Sequence, residues 1–286
     1  MINSDKSYFS LRSFYGILEP EEKSFIKEML RMAGRKQPSV FEKYAHEYDL
    51  ITNAVERVNY HQKEVDALIT RFAPATVLDA GCANGLTSEL LARRGVNTVG
   101  LDCSRRMIQA AREKCDSKNL PLSFRVGNFE RLPKSMHSEF DLVVCLANSI
   151  SGVSSVAGVR KTLKNFYAVL KPGGWLVMQM LNYSSMKEGT LFPIRATAND
   201  GIIYERFSER RGKRLSVYVS RLEMRGSSQK FEVFRHEFDT YDIALIGRLV
   251  ARSGFCKVGK FGDLYLKKRF ARTSRDLVLI CQRPIG

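Results

Sequence analysis

From residue 76 onward, short runs of β-branched and other apolar residues alternate with stretches whose apolar positions recur every three or four residues. The runs are Thr76 to Asp79, Asn97 to Asp102, Leu122 to Gly127, Phe140 to Leu146 and Gly174 to Leu181. Between them lie helical candidates at Thr87 to Arg94, Arg105 to Cys115 and Val156 to Leu170. Apolar strands joined through amphipathic helices are the mark of a mostly parallel sheet, because parallel neighbours need a long crossover. The pattern predicts an α/β fold.

The flanks read differently. Ahead of the alternation, Glu19-Pro20-Glu21-Glu22 precedes Phe25, Ile26, Met29 and Leu30, with Gly34 beyond, which predicts a helix with one buried face. Phe41 to Val55 reads as a second, wholly or partly helical stretch, and Tyr60 to Phe72 as a third, ending before Pro74. After Asn182, Gly201 to Phe207, Arg214 to Glu223 and Lys230 to Phe238 alternate apolar with polar residues and are separated by turn residues, the signature of antiparallel hairpins. Tyr241 to Ser253 returns to helical spacing, and Gly254 to Phe261 and Leu277 to Gln282 are strand candidates. The chain thus divides into a helical extension (1–72), an α/β core (73–182), an antiparallel insertion (183–239) and a C-terminal helix with two further strands (240–286).

Length and composition change this picture little. A chain of 286 residues with 44% hydrophobic content can bury a proper core. Six scattered cysteines with no CxxC pair suggest neither a disulfide framework nor a zinc site, hence a reducing compartment. The start lacks the apolar stretch of a secretory signal and no run reaches membrane-spanning length, so the expectation is a cytoplasmic protein with no membrane partner. The formal net charge of +16 is more telling. It biases partners toward anions, among them nucleic acid and acidic small molecules. Acids such as Glu205, Glu209 and Glu223, interspersed among the basic residues beyond Tyr204, make a solvated surface the more ordinary reading.

The chemistry concentrates in Val77-Leu78-Asp79-Ala80-Gly81-Cys82-Ala83-Asn84-Gly85, a strand running into a glycine-bearing turn that opens a helix. Glycines there let the backbone approach a ligand, and the first amides of the helix offer partial positive charge. Asp102 ends the next strand, where an acid can accept both hydroxyls of a ribose. A dinucleotide loop is disfavoured: its GxGxxG pattern would need glycine at Ala83 and Leu86.

With these residues the chain resembles class I S-adenosylmethionine-dependent methyltransferases from about Phe41 to Arg283. Val77 to Gly85 is similar to that family's first motif, with Ala83 where glycine is more usual. Asp102 resembles its ribose-binding acid, followed by Cys103 and Met107 at positions that line the adenosine. Val126-Gly127-Asn128-Phe129 resembles its adenine-edge motif, with Asn128 in place of a more usual aspartate. Leu170-Lys171-Pro172-Gly173-Gly174-Trp175-Leu176 resembles the turn before its fifth strand. The resemblance implies a Rossmann-like sheet of seven strands, mostly parallel with the last antiparallel, helices on both faces, and S-adenosylmethionine as cofactor. The implied cofactor-binding residues are Tyr44, Asp79, Gly81, Cys82, Ala83, Gly85, Asp102, Cys103, Met107, Asn128, Phe129 and Leu146, with no metal.

Val144-Cys145-Leu146-Ala147-Asn148-Ser149-Ile150 and Leu181-Asn182-Tyr183 are similar to the corresponding segments of glycine, sarcosine and amino-sugar N-methyltransferases, in which an antiparallel insertion after strand five covers the site. That branch implies a small-molecule acceptor, anionic or amine-bearing. Asn148 would face substrate, unless it only stabilises its own turn. Arg195 would bind a substrate carboxylate, unless it is a surface arginine. Tyr48 or Tyr44, on a helix that closes over the cofactor, would place a hydroxyl near the sulfonium, unless both simply pack. A neutral amine needs no strong base, and His46, His61, His137 and His236 all lie outside the motifs. Two other readings stay open: an RNA methyltransferase, suggested by the charge but lacking any base-flipping motif, and a cofactor-binding protein without turnover, suggested by Ala83 and Asn128.

Overall fold

The computed structural model describes residues 39–115 and 119–285, so the helix expected after Glu19 lies outside the described residues. Short helices α1 (Val40–Lys43) and α2 (Tyr48–Thr52) lead into the long helix α3 (Ala54–Phe72). The alternating segment then forms β1 (Thr76–Ala80), α4 (Leu86–Ala92), β2 (Asn97–Asp102), α5 (Arg105–Lys114), β3 (Leu122–Val126), β4 (Phe140–Cys145), α6 (Val156–Val169) and β5 (Leu170–Leu181). An antiparallel meander follows, β6 (Leu191–Asn199), β7 (Ile202–Arg211), β8 (Arg214–Arg225) and β9 (Ser228–Asp239), and then α7 (Ile243–Arg252), β10 (Cys256–Phe261) and β11 (Asp276–Gln282).

Seven strands make one sheet in the order β10-β11-β5-β4-β1-β2-β3. The pairs among β1 to β5 are parallel, whereas β11 runs antiparallel to both β5 and β10. Order and direction are those of the class I methyltransferase fold, as expected. Both faces are covered. Leu78, Ala80, Val143 and Cys145 pack toward α6 and α7, and Val77, Leu142 and Val144 pack toward α3 and α4. This is why the strands read as continuous apolar runs rather than alternating ones. All six cysteines are free thiols.

The meander is a separate sheet in the order β6-β7-β8-β9. One end is anchored in the main core through Leu215, with Val217 and Phe238 packed beside it. One face carries Tyr204, Val219 and Phe234, which bury Val40, Tyr44 and Ile51 of the N-terminal segment.

The stretch Phe41 to Val55 is partly helical, one of the two forms expected: Tyr44 leaves helical geometry at the end of α1, and Asn53 adopts φ 54° between α2 and α3. Two features depart from the sequence reading. Helix α3 then starts at Ala54, six residues before the expected Tyr60. The insertion also holds a strand, β6, that the alternation did not reveal.

Candidate active site

At the C-terminal ends of β1 and β2 the chain builds a cradle. Gly81 follows β1 with φ +86°, and a Cβ there would lie 2.6 Å from Ser149 Oγ and 3.2 Å from Phe129 Cζ. Only a residue without a side chain fits between the β1 turn and the segments after β3 and β4. Ala83 takes the left-handed conformation at φ 48°, which an alanine adopts at a cost, and its N–H donates to Asp102 Oδ2 at 3.0 Å. Ser104 N–H donates to Asp102 Oδ1 at 2.9 Å, and Ser104 Oγ caps α5 at Met107 N–H. The Asp102 carboxylate is therefore fixed by two backbone amides. Burial pushes its pKa up, and those amides oppose the shift.

Asp79 is buried beneath the turn, where Ser88 Oγ donates to it at 2.6 Å. Burial raises its carboxyl to about 6. The Cys82 backbone belongs to the turn, but its side chain is buried with Ile108, Ala111, Cys115 and Phe124. Burial, then the charges of Asp79 and Asp102, hold that thiol well above its ordinary pKa. Met107 is buried on α5, and Cys103 is exposed after Asp102. Asn128 Oδ1 accepts from Glu130 N–H at 2.8 Å, so its carbonyl caps the short turn after β3 while Phe129 packs on Phe166. Leu146 is buried, and its carbonyl accepts from both Ser149 N and Ser149 Oγ. Asp79, Gly81, Ala83, Gly85, Asp102, Phe129 and Leu146 thus gather at one end of the sheet.

The residues expected near the acceptor are placed differently from one another. Asn148 sits at φ 67°, and its Oδ1 accepts from Ser151 Oγ (3.1 Å), Leu181 N–H (3.0 Å) and Tyr183 Oη (2.9 Å). Its carbonyl thus knits the ends of β4 and β5 together. Arg195, on β6, pairs with Glu56 of α3. Tyr48 lies half-buried with Arg57 as its hydrogen-bonding neighbour and Asp102 and Arg206 within charge reach, and burial raises its pKa. Tyr44 turns away from this group: its hydroxyl donates to Glu232 on β9, and its ring lies under the Arg221 guanidinium at 4.3 Å. The broken helix separates the two tyrosines, which continuous i, i+4 spacing would have stacked.

Sequence reasoning did not single out Arg57, Arg206 or the latch between Asn84 and the N-terminal segment. Asn84 Nδ2 donates to Asp49 Oδ1 at 2.7 Å, and Lys114 Nζ reaches Asp49 Oδ2 at 2.6 Å. Asn84 stood inside the quoted motif, so that signal was present, whereas the arginines carry no local pattern. Among the described residues no group of three His, Cys, Asp or Glu is placed to hold a metal ion.

A protein-family model described as a methyltransferase domain matches residues 77–174. A glycine/sarcosine N-methyltransferase of Parasynechococcus marenigrum is 27% identical over 162 residues, covering 57% of each chain. A ubiquinone biosynthesis O-methyltransferase of Coxiella burnetii is 32% identical over 106 residues, covering 37% of this chain and 43% of that one. The match therefore spans about half the length of these curated relatives. Among solved structures, a SAM-bound amino pentose methyltransferase from Micromonospora echinaspora superposes with a TM-score of 0.62 at 18% identity, covering 98% of this chain and 100% of that one. At that identity the likeness is one of fold. Residues 77–174 accordingly match a methyltransferase domain, and the sheet that holds them has the strand order and direction of the class I methyltransferase fold.

Proposed function

We propose that this chain transfers the methyl group of S-adenosylmethionine to a small-molecule amine. The observation that carries the cofactor assignment is the cradle itself: a side-chain-free Gly81, an Ala83 amide and the Asp102 carboxylate held together at the ends of adjacent strands. Asp102 keeps unused lone pairs beyond its two amide bonds, which suits a ribose diol. Buried Asp79 lies beneath the turn, where its charge favours an ammonium group. When bound, the sulfonium supplies an electrophilic methyl carbon.

The chain's own work is then alignment and exclusion of water, the largest contributions open to an enzyme that need not create its nucleophile. The Asn148 network fixes the ends of β4 and β5, and the N-terminal segment, packed on the insertion sheet, is tied to the cradle turn through Asp49 and Asn84. Tyr48, a neutral phenol at physiological pH like any tyrosine and held further from ionisation by burial, can offer its hydroxyl to the acceptor. An amine acceptor is supported by the N-methyltransferase likeness. The insertion's basic residues also support a small acceptor over RNA. Arg211, Arg214, Arg225, Lys230 and Arg235 each pair with a neighbouring carboxylate, so the sheet does not present a bare basic face.

Titration calorimetry with S-adenosylmethionine and S-adenosylhomocysteine tests the cofactor first. Wild type should bind both, and Asp102→Ala should weaken binding by about 1–3 kcal/mol, the scale of charge-assisted hydrogen bonds. Release of S-adenosylhomocysteine in a screen of small amines, run beside phenols and a transfer-RNA mixture, then tests the acceptor. Turnover only with phenols or RNA would refute the amine reading.

A further inference from the structure

On the face of the insertion sheet that meets the N-terminal segment, Arg195, Arg206 and Arg221 are not treated alike. Arg221 is gripped by Glu47 through two hydrogen bonds of 3.0 Å and is also paired with Glu223. Arg195 is paired with Glu56. The Arg206 side chain has no carboxylate and donates no hydrogen bond among the described residues, and its Nε is buried without a partner.

Its position on that face follows from register. Arg206 stands directly across from Arg195 on β6 and from Val219 on β8, two residues beyond Tyr204, whose hydroxyl meets Glu47 of the N-terminal segment. Side chains two apart on a strand share a face, so Arg206 points toward the same segment. Directly opposed like charges destabilise a sheet, yet only one of the pair has been given a counter-ion.

More positive charge converges there. Arg57 of α3 and Arg275, just before β11, lie within charge reach of Arg206, as does Tyr48, which in turn is within reach of Asp102. Burial first, then these like charges, lower the Arg206 guanidinium to about 10. A half-buried guanidinium, surrounded by its own sign and left with an unsatisfied Nε donor, is a poor solution for folding alone. It is a good one for holding an oxyanion, because the planar fork matches a carboxylate or phosphate edge and no described carboxylate competes for it.

We infer that Arg206, flanked by Arg57 and Arg275, forms a subsite for an oxyanion group on the methyl acceptor, so that the substrate is an amine that also carries a carboxylate or a phosphate. The inference rests on the amine-methyltransferase reading. It shifts the anion-binding role from Arg195, whose charge Glu56 already meets, to Arg206, whose charge nothing described meets.

The test uses the full chain and two readouts that need no turnover. In thermal melts, acetate, inorganic phosphate, glycine against glycinamide, and phosphoethanolamine against ethanolamine are compared, with and without S-adenosylhomocysteine. The anionic member of each amine pair should bind at least tenfold more tightly than its neutral partner, and the preferred pair separates a carboxylate from a phosphate substrate. Arg206→Gln should abolish that preference and leave S-adenosylhomocysteine affinity unchanged, and Arg206→Lys should restore part of it. Because Arg206 is a strained charge in the unliganded protein, Arg206→Met should raise the melting temperature without ligand.

Equal binding of charged and neutral partners, no response to any anion, or a preference surviving in Arg206→Gln would each overturn the proposal. So would a melting temperature lowered by Arg206→Met. Cofactor titrations judge the underlying reading separately: absent cofactor binding with an intact, Arg206-dependent anion response would refute the methyltransferase assignment and not the subsite.

Discussion

At the scale of single residues, the cradle accepts local cost for the sake of a ligand, and Asp79 shows it most clearly. Its carboxyl lies buried beside one hydroxyl donor and is raised to about 6, against an ordinary aspartate near ~4 in the unfolded chain. The folded form therefore binds a proton between about pH 4 and 6 that the unfolded form does not. Stability contributed at this residue is present at low pH, falls as pH rises through that window, and is lower by about 3 kcal/mol once both states are ionised. Asp79→Asn keeps the shape and an acceptor for Ser88, and it removes the charge. The variant should exceed wild type by about 2–3 kcal/mol in denaturant titrations at pH 7.5, with the difference closing toward pH 4. It should also bind S-adenosylmethionine less well if the charge serves an ammonium group. Equal stabilities at pH 7.5 would mean that Asp79 is solvated well enough to ionise freely.

At the scale of elements, the hold of the insertion on the N-terminal segment is a matter of paired charge. Glu47 takes Arg221 in a two-pronged bond and also accepts from Tyr204 at 2.5 Å. Burial works against ionisation of Glu47, yet Arg221 and Tyr204 together still lower its pKa. Arg221 is 3% exposed and Glu223 also pairs with it, so removing Arg221 leaves Glu47 without its cation, whereas removing Glu47 leaves Arg221 one carboxylate and removing both strands neither. Arg221→Met alone should cost about 3 kcal/mol, Glu47→Gln less because Glu223 still meets Arg221, and the double variant clearly less than their sum, measured as a double-mutant cycle. Additive losses would place the pair in effective contact with solvent. The same elements show what the sequence could convey. Strands β1 to β5 were legible because burial on both faces writes an unbroken apolar run. Strand β6 was not, because Pro193 and the polar stretch after it argue against a strand; the fold tolerates Pro193 because β6 is an edge with its register shift at Pro193 and Arg195. Motif residues from Asp79 to Asp102 could be read in order, since a turn and its flanking strands are local. Arg206 could not, because what distinguishes it is a missing partner, and partners are assigned only by the fold.

At the scale of the molecule, the contacts suggest which body moves against which. The N-terminal segment shares a buried cluster with the insertion sheet, Val40, Tyr44 and Ile51 against Tyr204, Val219 and Phe234, reinforced by Lys43 and Tyr44 on Glu232. Its ties to the α/β core are fewer and polar: Asp49 to Asn84 and Lys114, and Arg106 to the Glu42 carbonyl. Apolar burial holds surfaces together more firmly than half-exposed ion pairs, so an opening of the site should part the polar seam and leave the apolar one intact. Amides of Val40–Thr52 and the facing parts of β7 to β9 should then exchange with one shared opening free energy, below that of β1, β4 and β5. A ligand held across the seam adds its binding energy to that opening. S-adenosylhomocysteine at a hundred times its dissociation constant should raise protection in both segments together, by about 2.7 kcal/mol. Hydrogen exchange followed by mass spectrometry reads this directly. If the N-terminal segment alone gained protection, it would be a lid hinged separately from the sheet, and the cluster around Tyr204 would be packing that breaks on each opening.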